Sequence, residues 1–437
     1  MPLHHKTCLF LPAVLLAVFQ LASVVMGQHL PETDPVSGHW TQWRGNSRDG
    51  LVSQAAEWPD RLSGEALKPA WRVPLGPSYS GPIVSGSLVF TTETKDKKLE
   101  LVRAIDRRSG ELRWERSWEG AMSVPFFAKA NGDWIRSTPA CDGESLYVAG
   151  MRDVLVCLNA ETGDIRWQVD FVKELSTPVP EFGFVCSPLV DGEHVYVQAG
   201  AAFCKLDKRT GKILWRTLED GGGMFGSAFS SPVFAEMAGR RQLLVQTREK
   251  LAGVDPDNGN VLWSQVIPAF RGMNILTPTV SGDSVFTSAY QGNSFLFQIS
   301  GPDGKQVATE SWTNRSRAYM SSPVVVNGHV YLHLQNQRFT CIDLASGETR
   351  WTTGPFGKYW SLVVNGDRIL ALDERGELLL IRANPEKFEL IDRIKISDQP
   401  TWAHLAVCGN ELFVRELNAI VAYRWVNAED TNSSPGN

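Results

Sequence analysis

The sequence predicts an all-β fold, an eight-bladed β-propeller of four-stranded antiparallel blades, on three observations. The first is a phrase that recurs five times: AIDRRSGELRW (104–114), CLNAETGDIRW (157–167), KLDKRTGKILW (205–215), GVDPDNGNVLW (253–263) and CIDLASGETRW (341–351). In each, Gly stands four residues before Trp. The second is an upstream phrase, such as SPLVDGEHVYVQAG (187–200) or TPTVSGDSVFTSA (277–289), that reads as a short apolar strand, a Gly-containing turn and an alternating apolar strand. That is the pattern of a hairpin. Six copies carry Pro82, Pro139, Pro188, Pro232, Pro278 and Pro323, and weaker copies at 361–373 and 405–417 bring the count to eight. The third observation is the spacing of those prolines, from 57 down to 44 residues, around the period of ~40 to 50 expected of a four-stranded blade.

Taken in chain order, residues 1–27 read as a signal peptide, with a basic start (MPLHHK), an apolar stretch (CLFLPAVLLAVFQLASVV) and Gly27 ahead of Gln28. An uncleaved anchor is the alternative, against which Pro12 and Gln20 interrupt the apolar run. Cys8 lies at the beginning of that run, so no lipid-attachment cysteine is expected at its end. Residues 28–66 form an N-terminal extension, 67–425 a single propeller and 426–437 a polar tail. Ring closure follows from the two ends of the array. The last copy supplies three strands, while LKPAWRVPLG (67–76) is a fourth strand placed ahead of the first blade. An N-terminal strand that completes the last blade leaves no sheet open.

Within each repeat the strands are named A to D. Asp with Ser or Thr favours the C–D turn, Gly supplies its positive φ, and Trp follows on the outer strand. The structural docking residues are therefore Trp71, Trp114, Trp167, Trp215, Trp263, Trp312 and Trp351, with Gly110, Gly163, Gly211, Gly259 and Gly347. An indole filling the gap between adjacent sheets is worth ~2 to 3 kcal/mol of apolar burial. The seventh repeat has no such aromatic.

Net charge is −5, with 43% hydrophobic residues and no long run of one sign, which argues against a nucleic-acid partner. The six cysteines after residue 27 are read as buried thiols in preference to disulfides, and no C-x-x-C pair suggests a metal or redox centre.

The D-x-x-T/S-G-x-x-x-W repeat resembles the tryptophan-docking motif of the pyrroloquinoline-quinone-like propellers, a family that includes quinoprotein alcohol dehydrogenases and BamB-like assembly factors. The resemblance covers Leu67 to Trp425. The segment WTQWRGNSRDGLVS (40–53) is similar to the W-x-x-W/F-R-G-x-x-R-x-G element found ahead of exported propellers of this kind, and is expected to pack across one end of the ring. The resemblance implies one of two functions. One is a noncatalytic, exported scaffold, periplasmic or envelope-associated, with a protein or glycan partner. The other is a dehydrogenase using pyrroloquinoline quinone with calcium. Against the second stand the lack of an adjacent Cys pair, of a calcium-ligand set and of C-x-x-C-H. A monomer without cofactor, touching the membrane only peripherally, is the expected state.

Chemistry on a propeller resides in its loops. The D-to-A connections carry the candidate rim of a binding mouth: Trp134, Arg136, Phe182, Phe184, Phe225, Phe229, Arg271, Met273, Arg317, Tyr319, Lys358, Tyr359, Trp360, Trp402 and His404. Rings with scattered cations suit a planar or anionic ligand, a sugar or a peptide strand, so a carbohydrate-binding or carbohydrate-processing protein is a third reading. No catalytic or metal-ligating residue is expected: there is no H-E-x-x-H or G-x-S-x-G, and Asp133, Glu181 and Asp398 form no acid/base pair. GGGMFG (221–226) satisfies G-x-G-x-x-G but leads into a strand, which disqualifies it as a dinucleotide site.

Overall fold

The computed structural model describes residues 38–52, 58–226, 228–302 and 305–425. The expected signal peptide, the polar tail and parts of the extension (28–37 and 53–57) lie outside the described residues. The chain divides into two compact units, Met1–Pro35 and Val36–Asn437, and the described residues belong to the second.

Eight sheets of four antiparallel strands make up that unit. Blade 1 shows the plan, with strands A to D at Ile83–Ser85, Leu88–Lys95, Leu99–Asp106 and Leu112–Glu119. Strands B and C are buried on both faces, as at Ser145–Gly150 in blade 2, because each blade is covered by a neighbour on either side. Strand D is the outer edge and alternates exposed and half-buried residues. The prolines stand immediately before the A strands, for instance Pro188 before Leu189–Asp191, where no ladder hydrogen is required of them. One α-helix occurs among the described residues, the five-residue Phe171–Leu175 capped by Asp170.

The eighth sheet runs Leu67–Pro74, Ala419–Trp425, Glu411–Glu416 and Ala406–Cys408, so the N-terminal strand completes the last blade. Its register pairs Leu67 with Trp425 and Pro74 with Ala419. The seam is reinforced by Arg107 of blade 1, whose Nε lies 2.5 Å from Glu411 Oε2 of blade 8.

Five of the seven outer-strand indoles donate to a carbonyl of the next blade. Trp71 Nε1 donates to Arg107 O (2.9 Å), Trp114 to Ala160 O (3.0 Å), Trp167 to Lys208 O (2.9 Å), Trp312 to Leu344 O (2.9 Å) and Trp351 to Asn384 O (2.9 Å). The turn glycine thus serves the Trp of the preceding blade. A Cβ on Gly163, whose φ is +73°, would lie 2.5 Å from the Trp114 ring. Gly110, Gly211, Gly259 and Gly347 meet Trp71, Trp167, Trp215 and Trp312 in the same way. Trp263 departs from the pattern: its Nε1 bonds Gln242 Oε1 within its own blade.

Nearer the axis a second ladder ties the blades together. At four junctions the Ser or Thr before the proline accepts from the matching backbone of the preceding blade: Gly81 N to Thr138 Oγ1, Thr138 N to Ser187 Oγ and Ser187 N to Ser231 Oγ, at 2.9–3.0 Å, and Thr277 N to Ser322 Oγ at 3.1 Å. All six cysteines of the described residues are buried free thiols.

Candidate functional site

In a four-stranded meander the D–A and B–C connections open at one end of the ring, and the A–B and C–D turns at the other. The segment 40–52 enters at the A–B end, where Gly86 N donates to His39 Nδ1 (3.3 Å). It then crosses the axis along the inner strands. Trp40 exchanges two backbone bonds with Val84 of blade 1, and Thr41 O accepts from Cys141 N of blade 2. Gln42 Oε1 accepts from Val190 N of blade 3, Trp43 Nε1 donates to Thr277 Oγ1 of blade 5 (2.8 Å), and Gly50 and Val52 pair with Val364 of blade 7. Two fully buried arginines complete the plug. Arg44 donates to Pro323 O (2.5 Å) and Asp49 O (2.9 Å), and Arg48 to Pro188 O (2.6 Å) and Ser187 O (3.0 Å). Burial lowers both guanidinium pKa values to about 10, which leaves them charged at neutral pH.

Above this plug the opposite end holds a cavity of about 640 Å³. Trp43, His404 and the hydroxyls of Ser187, Ser231, Thr277, Ser322 and Ser361 line it from the inner strands. His404 lies between the two indoles of the plug, 6.5 Å from Trp40 and 5.1 Å from Trp43 between ring centroids. Burial pushes its pKa down to about 3, so the ring is neutral.

The walls form two arcs. One is a run of Tyr and Trp rings: Trp134 to Tyr79 (5.2 Å), Tyr79 to Trp402 (4.7 Å), Trp402 to Tyr359 (4.5 Å), Tyr359 to Tyr319 (5.6 Å) and Tyr319 to Tyr290 (4.4 Å). The other is phenylalanine: Phe126, Phe127, Phe182 and Phe229 in succession at 5.6–6.3 Å. Arg248 lies over the end of that arc, 4.4 Å from the Phe229 centroid and 5.9 Å from that of Phe182. Arg136 and Arg271 also line the cavity, and among the described residues no carboxylate does. Burial lowers the Arg136 pKa to about 10.

Of the residues expected at the rim, Arg136, Phe182, Phe225, Phe229, Arg271, Met273, Tyr319, Tyr359, Trp360, Trp402 and His404 line the cavity. Four stand elsewhere. Gly183 (φ +78°) turns the chain between Phe182 and Phe184, so that Phe184 is buried against Phe171 in the blade core. Trp134 packs edge-on behind Tyr79. Arg317 is exposed and bonded to Gly292 O, and Lys358 is exposed. Residues that the loop reading missed are Trp43, from the leading segment, Tyr79, from the connection between the N-terminal strand and blade 1, and Arg248 and Tyr290, from B–C turns.

A quinone with calcium was tested against this donor set. Calcium takes about 6 to 8 oxygen ligands, carboxylates prominent among them. Among the described residues the lining offers no carboxylate, and no group of three His, Cys, Asp or Glu side chains is placed to hold a metal. The residues do not fit that group.

A family model described as outer membrane protein assembly factor BamB matches residues 98–353. The chain is 25% identical over 266 residues to the outer membrane protein assembly factor BamB of Yersinia pestis, covering 56% of this chain and 63% of that one. In structure it is similar to BamB from Moraxella catarrhalis, with a TM-score of 0.60 and 14% identity over 85% of this chain and 99% of that one. It is also similar to the quinohemoprotein alcohol dehydrogenase of Comamonas testosteroni, with a TM-score of 0.60 and 14% identity over 89% and 80%. At that identity both structures show a shared fold and nothing finer.

Proposed function

We propose that this chain, which belongs to the family described as outer membrane protein assembly factor BamB, is an exported, noncatalytic scaffold of the cell envelope that binds a protein partner at its open mouth. It acts as a monomer, without a cofactor, and meets the membrane only peripherally. One observation carries the reading: a cavity of about 640 Å³ walled by aromatic rings and arginines, with no carboxylate among the described residues of its lining. Rings and guanidinium groups are the side chains that anchor a protein partner, and this supports binding at the mouth. The Tyr and Trp arc favours a second reading, a glycan ligand stacked on those rings.

Crosslinking followed by pull-down from envelope fractions tests the scaffold. Trp402→Ala combined with Tyr359→Ala removes the centre of the Tyr and Trp arc and is expected to deplete the parent's protein partners about tenfold. Identical partner lists for parent and variant would remove the mouth as the interaction site.

A further inference from the structure

Three arginines line the open mouth, and among the described residues none is in contact with a carboxylate there. Arg136 gives its Nε and Nη2 hydrogens to the carbonyls of Trp134 (3.2 Å) and Gly132 (3.0 Å). Arg248 gives its Nη1 and Nη2 hydrogens to the carbonyls of Gly226 (3.3 Å) and Arg271 (2.6 Å). Arg271 is exposed, its guanidinium 5.1 Å from the Phe270 ring centroid. A carbonyl satisfies a donor but does not cancel its charge. Asp133 and Asp220 act on Arg136 and Arg248 through space, and neither lines the cavity. The mouth therefore presents positive charge set among apolar rings.

The apolar surface also runs past the cavity. Phe126 is 85% exposed and Phe225 72%. A ligand confined to the cavity leaves the Phe126 ring bare, whereas a chain passing over the rim covers it. Aromatic residues, Met and Arg without Lys, Asp or Glu are the composition of a protein–protein interface centre. The many hydroxyls of a sugar call for amide and carboxylate side chains, and among the described residues of the lining Asn131 alone is such a group.

We propose that the mouth takes an extended polypeptide segment in which acidic residues alternate with bulky apolar ones. The apolar side chains sit on the phenylalanine arc, and the carboxylates meet Arg248, Arg271 and Arg136. This rests on the scaffold reading and adds the chemistry of the partner.

Fluorescence anisotropy on the full chain tests it with two labelled peptides, one alternating Phe with Glu over twelve residues and one alternating Phe with Lys. The acidic peptide is expected to bind at least about tenfold more tightly, and to weaken as salt screens the charges. Arg248→Met is expected to weaken it about tenfold, and Arg271→Ala, an exposed position where folding is not at stake, about threefold. Equal binding of both peptides, binding of neither, or parental affinity in Arg271→Ala would overturn the inference. So would sedimentation with phosphatidylglycerol vesicles in place of peptide binding. If partners depend on Trp402 and Tyr359 but the acidic peptide does not bind, the charge inference alone falls. If the partner list is unchanged in that variant, the scaffold reading falls.

Discussion

The two ends of the axial channel are finished by opposite means. At the A–B end a thirteen-residue segment, 40–52, is pinned by backbone pairs and by buried arginines aimed at carbonyls in blades 3 and 6. At the D–A end the same inner strands lead into rings packed on one another in stacked, tilted and edge-on pairs, which leave a cavity open. Hydrogen bonds have narrow geometry, so the first end has one arrangement. Ring contacts are tolerant, so the second can accept a partner without orphaning polar groups. One end is a lock and the other a socket.

The largest test of that contrast is to dismantle the lock. Arg44→Met with Arg48→Met leaves the carbonyls of Asp49, Pro323, Pro188 and Ser187 without their donors. At about 1 kcal/mol for each lost partner, urea denaturation should show a loss of about 4 kcal/mol. A loss under about 1 kcal/mol would mean that the plug is dispensable and the two ends alike.

His404, between plug and socket, sharpens the comparison through pH. Its folded pKa of about 3 lies below the ordinary 6.5, so its contribution is fully present above pH 6.5 and is lost as pH falls towards 3. Between pH 7 and 4.5 that amounts to about 3 kcal/mol. Denaturation of parent and His404→Gln at the two pH values should give a smaller acid loss in the variant, and equal losses would refute the buried neutral ring.

The smallest expected effect is at the socket's rim. Phe225→Ala should change stability by less than about 0.5 kcal/mol, because the ring is 72% exposed. Crosslinking to partners should nevertheless fall several-fold. A stability loss above about 2 kcal/mol would show that the rim is packed like the plug.

Much of the fold was legible because repetition multiplies a weak signal: one S-G-E-T-R-W is a turn, and five of them define a period. Ring closure was legible for the same reason, since a strand in excess at one end matched a strand lacking at the other. What Gly163 does was only half legible. Its positive φ follows from the turn, but its contact with Trp114 belongs to the neighbouring blade, and no local pattern encodes stacking order. The site was less readable. Arg248 and Tyr290 lie on B–C turns, which share the mouth with the D–A loops by strand parity, a signal that was present and unused. Trp43 belongs to no repeat, so neither periodicity nor loop position assigns it to the cavity. Phe184 failed for a finer reason: one glycine with positive φ decides which of two phenylalanines faces outward.

The seam has a consequence in time. Leu67 pairs with Trp425 and Pro74 with Ala419, so the partners stand 358 and 345 positions apart. At about 5 to 20 residues per second of synthesis, the first strand waits roughly 20 to 70 seconds for the strand it will zip to. Until then its bare edge is open to pairing with any other nascent chain. That edge stays without its partner strand for the whole interval, and a premature stop near the end would leave the ring unfastened rather than merely shorter.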